Sequence, residues 1–223
     1  MNKYAAIIVA GGAGRRFGSK TPKQFLNLGG LPMYLWSVKA FRKTGRFSQI
    51  ILAAPAGRLK ALSAAAKKYS FDLVSGGKER PDSVRAGLKK LNKDITIVAI
   101  HDAARPLIGT AVINRALAVA ARSGSALVSV PARDTIKLVS KYKVLKTIPR
   151  QTIWQAQTPQ VFERSLIEKA YSRLGKTRVT DDAQAVERTG HKVSVVMGDY
   201  NNIKITDRND FNTALLHLKK PRK

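Results

Sequence analysis

Between Ala10 and Lys23 the chain reads AGGAGRRFGSKTPK, and this stretch carries the residues best suited to chemistry. Gly11, Gly12 and Gly14 remove the side chains that would keep a phosphate away from backbone N–H groups, while Arg15, Arg16, Lys20 and Lys23 ring the resulting concavity with positive charge. Capture of a polyphosphate is the chemistry such a loop can do. Two familiar phosphate loops are excluded by spacing: a Walker A requires Gly-Lys-Ser/Thr where Gly18 is followed by Ser19, and a dinucleotide fingerprint requires glycine where Phe17 stands. The plainer reading is a glycine turn with solvated cations.

Other functional chemistries are bounded by composition. The chain has no cysteine, which removes disulfides, thiolate zinc sites and cysteine nucleophiles, and His101, His191 and His217 are too scattered for a metal cluster. Any metal must therefore be held by oxygen ligands. With 41 Lys and Arg against 14 Asp and Glu the formal charge is +27, and no acid precedes Asp72, so a carboxylate that helps to hold a cation must come from later in the chain. Such a surface attracts polyanions of every kind. Its basic residues are spread along the sequence without a zinc-finger, helix-turn-helix or RNP-type signature, so no specific nucleic-acid partner is expected. No secretory signal is evident and no run approaches the ~20 apolar residues of a spanning helix, which leads to the expectation of a soluble cytoplasmic protein without a membrane partner.

These residues have to be positioned by regular elements. Tyr4 to Val9, a short apolar run ended by glycines, reads as a buried parallel strand. Helix is expected over 31–44, strand over 49–54, helix over 58–69, strand over 72–75, helix from Pro81 to Leu91, strand over 95–100, helix over 110–122 and strand over 125–130. The strict alternation implies an α/β fold: a mostly parallel sheet with helices on both faces and ligands beyond the carboxyl ends of the strands. From Asp134 to Trp154 the alternation breaks, and TIKLVS and VLKTIP about Lys141-Tyr142-Lys143 read as a β-hairpin. Because an isolated hairpin is marginal in water, it should pack on something, most simply a second copy of the chain. Helices are expected over 162–174, from Asp181 with Thr180 as N-cap to Thr189, and from about Asp207, with a strand over 193–197. With no repeat or linker, residues 1–223 read as a single domain.

In this order the strand-end segments are AGGAGRRF and PKQ, GGKERPDSV, HDAARP, ARDT, WQAQTPQ, VTDDAQAVE and NIKIT. Together they resemble the cytidylyltransferase family that activates 2-C-methyl-D-erythritol 4-phosphate in isoprenoid synthesis, from about Tyr4 to Asp207. The resemblance implies a Rossmann-like sheet with a protruding β-arm at about 134–154. It also implies transfer of CMP from CTP to a sugar-alcohol phosphate with release of pyrophosphate. By the same resemblance Arg16 and Lys23 are the catalytic cations. Ala10, Gly11, Gly12, Ala13 and Gly14 wrap the phosphates and ribose, Gly77 and Ser83 read the cytosine, and Asp102 with Ala103 lies by the sugar hydroxyls. Arg105, Thr180 and Lys204 take the acceptor. Thr135 and Arg150 lie in the arm and would complete the site of a neighbouring subunit in a homodimer. Mg²⁺ is the implied ion, with Asp102 supplying at most one ligand and the triphosphate most of the others.

Several of these residues have plainer readings as well. Asp102 could pair with Arg105 at a strand end, His101 reads as a packed, hydrogen-bonded residue rather than a base, Arg150 could be a solvated arm residue, and Asp181 with Asp182 is favoured at a helix N-terminus by the macrodipole. The chain departs from the family pattern where Gly11 replaces a usual alanine, Phe17 a common methionine and Asn201 a frequent acid. Two alternatives stand beside the main reading: a cytidylyltransferase acting on ribitol 5-phosphate, whose cytidine half would look alike, and a basic nucleic-acid-binding protein.

Overall fold

The computed structural model describes residues 2–12, 17–18, 21–175 and 177–219. Its centre is a seven-stranded sheet, made of β1 (Tyr4–Val9), β4 (Phe47–Ala54), β5 (Asp72–Ser75), β6 (Ile97–Asp102), β7 (Ser125–Pro131), β10 (Trp154–Glu163) and β11 (Val195–Met197). Two short strands, β2 (Asn27–Leu28) and β3 (Leu31–Pro32), pair separately, as do β8 (Ile136–Ser140) and β9 (Lys143–Ile148). Among the described residues seven α-helices accompany these strands: α1 (Met33–Lys43), α2 (Leu59–Tyr69), α3 (Arg80–Lys89), α4 (Thr110–Ser123), α5 (Arg164–Arg173), α6 (Asp182–Glu187) and α7 (Arg208–Lys219). The sheet order is β11-β7-β10-β6-β1-β4-β5. All neighbours are parallel except β10, which runs antiparallel to both β6 and β7.

The unbroken apolar run of β1 follows from burial on both faces. Ala6 and Ile8 face a core completed by Leu35, Val38, Phe41, Ile113 and Leu117 from α1 and α4, whereas Ala5, Ile7 and Val9 face Val84, Leu88, Ile167 and Tyr171 from α3 and α5. Burying each of these larger side chains stabilises the fold by about 1.5–3 kcal/mol, so neither layer can be lost without the other. α3 approaches β1 closely because Gly87 lacks a side chain; a Cβ there would lie 2.5 Å from Ile7. A third, smaller core lies apart from the sheet faces and gathers Phe17, Leu28, Met33, Leu107, Ile205 and Ala214 under α7.

The sequence-based elements up to β7 are present, with α1 starting at Met33 because Leu31–Pro32 pairs with Asn27–Leu28. Sequence reasoning missed the short pair β2 and β3 and, in the middle of the sheet, β10. Its Gln155, Gln157, Thr158, Pro159 and Gln160 look like a loop, and proline argues against a central strand. The ladder accommodates them through an irregularity between Ala156 and Gln160, and the buried side chains of Gln157, Thr158 and Gln160 are hydrogen-bonded to the Asp199 carbonyl, His101 and Asp181. The helix expected from Phe162 accordingly starts at Arg164. The hairpin of β8 and β9 is present, and Leu138, Val139, Tyr142, Val144 and Leu145 on it are exposed. Among the described residues no helix is long and apolar enough to cross a membrane.

Candidate functional site

The carboxyl ends of β1 and β6 lie side by side, Val9 paired with Asp102, and the segments that follow them open onto a cleft of about 310 Å³. Gly11, Gly12, Lys23, Ser83, Asp102 and Lys204 line it, together with Lys78 and Arg80. A second cleft of about 200 Å³ is lined by Arg105, Gln157, Gln160, Thr180 and Asp181, and it shares Arg80, Asp102 and Lys204 with the first. Two ligands could thus meet across one group of charges.

That group is compact. Asp102 accepts from Arg80 Nε at 2.9 Å on one carboxylate oxygen and from Lys204 Nζ at 2.8 Å on the other. The same guanidinium forks onto Asp182 at 2.9 and 2.6 Å, and Tyr171 donates its hydroxyl proton to Asp182 at 2.5 Å. Asp182 is fully buried. Burial alone would raise the pKa of Asp102, but Arg80 and Lys204 overcome it and hold the carboxyl well below the usual range. For Arg80, burial pulls down while Asp182 and Asp102 push up, and the guanidinium stays firmly charged. Burial and the neighbouring Asp182 carboxylate raise the pKa of Tyr171 strongly, so it stays a donor. Two cations and two anions balance here, and a phosphate entering either cleft must compete with Asp102 for Arg80 and Lys204.

The backbone beside the first cleft is held from within. Gln24, buried next to Lys23, donates to the carbonyl of Ala10 at 2.6 Å and of Gly12 at 3.2 Å. These bonds fix the backbone from Ala10 to Gly12 at the edge of the first cleft. Gly77 donates its N–H to Ser83 Oγ at 3.3 Å, and Ser83 sits in the first turn of α3, which Glu79 and Asp82 cap reciprocally. A Cβ on Gly11 would stand 3.1 Å from Ser83 Oγ, so glycine in place of the family's alanine lets the loop and α3 approach closely. Ala103 is buried, with its N–H on the Val9 carbonyl at 3.0 Å, so it joins the two strand ends.

Beside the second cleft Arg105 donates to the carbonyls of Asn202 at 2.7 Å and Ala156 at 3.2 Å, while its buried Nε has no partner among the described residues. A buried donor left open beside a cleft is what an incoming oxyanion would satisfy. Arg105 therefore does not make the Asp102 salt bridge considered from sequence; Arg80 and Lys204 do. His101 is a buried packing residue: Nε2 donates to the Arg105 carbonyl at 3.2 Å, Nδ1 accepts from Thr158 at 3.0 Å, and burial lowers its pKa to about 4. Thr180 is not the cap of α6. Asp181 caps it, accepting from the Gln184 N–H at 2.9 Å, and Thr180 donates its own N–H to the Gln184 side chain. For Asp182 the macrodipole explanation gives way to the buried pairing with Arg80.

Thr135 and Arg150 lie exposed at the base of the arm, and they line neither cleft of their own chain; Arg150 donates to the Arg133 carbonyl. Ala13, Gly14 and Arg16 lie outside the described residues. Sequence reasoning missed Arg80 and Gln24. A usable signal for Arg80 existed: it is the first residue of α3, where the helix dipole disfavours a cation, so a carboxylate partner was to be expected. As a metal site, Asp102 offers hard oxygen donors, and its two salt bridges leave lone pairs free, so it fits one ligand position. Among the described residues no three His, Asp or Glu side chains cluster to form a complete site.

The family model described as IspD, 2-C-methyl-D-erythritol 4-phosphate cytidylyltransferase, matches residues 4–220. The chain is 46% identical over 218 residues to the 2-C-methyl-D-erythritol 4-phosphate cytidylyltransferase of Endomicrobium trichonymphae, covering 97% of this chain and 99% of that protein. It is 40% identical over 222 residues to the Alkaliphilus oremlandii enzyme of the same name, covering 96% and 94%. Among solved structures, 4-diphosphocytidyl-2C-methyl-D-erythritol synthase from Anaerococcus prevotii superposes with a TM-score of 0.86 at 27% identity, covering 98% of this chain and 99% of that one.

Proposed function

The chain belongs to the 2-C-methyl-D-erythritol 4-phosphate cytidylyltransferase family, and we propose that it transfers CMP from CTP to 2-C-methyl-D-erythritol 4-phosphate. An oxygen of the acceptor phosphate attacks the α-phosphorus of CTP, the bond to the β-phosphate oxygen breaks, and pyrophosphate leaves. The observation that carries the reading is the pair of clefts meeting at Arg80, Asp102 and Lys204, one under a glycine stretch and the other beside the open donor of Arg105.

The reaction brings two polyanions together, so the protein's work is charge neutralisation and alignment rather than nucleophilic attack by a side chain. In this reading the backbone of Ala10 to Gly14 wraps the triphosphate, and Lys23 and Arg16 stabilise the extra negative charge of the five-coordinate transition state as catalytic residues. Gly77 and Ser83 face the cytosine, and Asp102 and Ala103 the ribose. Arg105, Thr180 and Lys204 hold the acceptor phosphate, with Thr135 and Arg150 reaching the partner's acceptor site across a homodimer joined by the arm. The exposed apolar residues of the hairpin support that dimer, since an uncovered apolar ribbon favours burial. Mg²⁺, held by triphosphate oxygens with Asp102 giving at most one ligand, would neutralise developing charge on the leaving pyrophosphate. The residues act as one nucleotidyltransferase domain, in the cytoplasm.

Purified protein given CTP, Mg²⁺ and 2-C-methyl-D-erythritol 4-phosphate should release pyrophosphate. Higher catalytic efficiency with ribitol 5-phosphate would overturn the acceptor assignment. Arg16→Ala and Lys23→Ala should each lower turnover by on the order of 10²–10³, the loss typical of a transition-state donor. Unchanged turnover in either variant would remove that residue from catalysis.

A further inference from the structure

The core under α7 is built from residues that adjoin the proposed contacts on both sides of the site. Phe17 is buried there and meets Phe211 of α7 edge-on, with ring centroids 5.7 Å apart. In sequence Phe17 directly follows Arg16. Leu26 and Leu28, just after Lys23 and Gln24, enter the same cluster, and the Leu28 carbonyl accepts from Trp36 Nε1 at 2.7 Å. Leu107 enters it two residues after Arg105. Ile203 and Ile205, which flank Lys204, enter from the other side, and the Ile205 N–H is bonded to the Ala104 carbonyl at 2.8 Å. At the start of α7, Asp210 accepts from the N–H and hydroxyl of Thr206 at 2.7 and 2.5 Å.

Phe17, Leu26, Leu28, Leu107, Ile203 and Ile205 each stand one to five residues from a proposed phosphate contact, yet neither Phe211 nor any other residue of α7 lines either cleft. Side chains packed in a core move little, and core rearrangement is transmitted to whatever they carry. We propose that Phe211 is a positioning residue that sets the nucleotide loop, through Phe17, and the acceptor lysine Lys204, through Ile205, in register with one another. On this view α7 is the common support of two halves of the site that come from distant parts of the chain. The proposal rests on the CMP-transfer reading.

Steady-state kinetics with each substrate varied in turn test it. Phe211→Ala should lower kcat/KM for both CTP and the acceptor phosphate by on the order of 10–100-fold, as expected when reacting groups shift by up to ~1 Å. Phe17→Ala should raise KM for CTP more than KM for the acceptor, and Ile205→Ala the reverse. The double variant Phe17→Ala/Phe211→Ala should be no worse toward CTP than Phe211→Ala, since both remove one contact. Phe211→Leu should recover most of the loss. Val112→Ala, a truncation in the sheet-face core, controls for stability: assayed well below its melting temperature, it should leave both values unchanged. Phe211→Ala kinetics matching those of Val112→Ala, or an effect confined to one substrate, would overturn the proposal. If Phe211→Ala does not fold, Phe211→Leu and Phe17→Ala carry the test, a smaller loss toward both substrates for the first supporting it and no loss overturning it. CTP affinity by calorimetry is measured alongside. A wild-type chain that binds CTP and releases no pyrophosphate would count against the activity, and the CTP affinities of the same variants would still decide the anchoring.

Discussion

Replacing Asp182 by alanine probes the charge group at its least exposed point. Asp182 is fully buried and takes two bonds from Arg80 and one from Tyr171, all at 2.9 Å or shorter. Removing one partner of a buried pair costs ~3–5 kcal/mol because the other charge stays behind in a poor solvent. Here Arg80 keeps Asp102 and its side chain is 24% exposed, which places the expected loss near ~3 kcal/mol, the lower end of that range. For a chain of this size, ~2–4 °C per kcal/mol converts that into a fall of roughly 6–12 °C in Tm by calorimetry. Activity should fall as well, since Arg80 can now lean wholly on Asp102 and loosen Lys204 from it. Replacing both partners, as Arg80→Met/Asp182→Leu, should restore only part of the stability and none of the activity: a buried ion pair is often neutral against a well-packed apolar substitute, but Asp102 and Tyr171 each lose a partner here. A Tm within ~1 °C of wild type for Asp182→Ala, or an active double variant, would refute the assignment of Arg80 and Asp182 as the support of the site.

Other perturbations read other parts of the structure. Hydrogen bonds from Thr206 and Asp207, together with the charge of Lys23, outweigh burial and lower the pKa of Asp210. A carboxyl depressed in the folded state stabilises above its unfolded pKa and loses that contribution as pH falls through the folded value. Asp210→Asn should therefore cost ~1 kcal/mol at neutral pH, the usual scale for a helix cap, and make urea stability flatter than wild type below about pH 4. Gly77→Ala would drive a Cβ into Asp82, disturbing the cap of α3 beside Ser83; a loss of ~1–3 kcal/mol in chemical denaturation and a raised KM for CTP are expected. Mixing Arg150→Ala with Arg16→Ala protein, with subunit exchange confirmed, should recover activity that neither has alone if the arm reaches the partner's site, and no recovery would argue against sharing.

The sequence alone was enough for the alternation of strands and helices through β7, the hairpin, and the ordered motifs that resemble the cytidylyltransferase family. These are local signals: apolar runs, turn residues and short spacings that need no knowledge of what packs against them. Tertiary structure decided what depends on a partner far along the chain. The polar residues of β10 make a central strand only because the side chains of Gln157, Thr158 and Gln160 find hydrogen-bond partners there. Arg80 is tolerable at a helix N-terminus only because Asp102 and Asp182 converge on it from two other elements. Thr180 and Asp181 are adjacent and chemically similar as caps, and Gln160, by donating to Asp181 at 2.9 Å and accepting from the Ala183 N–H, sets which of them turns toward the helix. Phe17, readable as an apolar exchange in a phosphate loop, becomes an anchor only when α7, almost two hundred residues later in the chain, is folded over it.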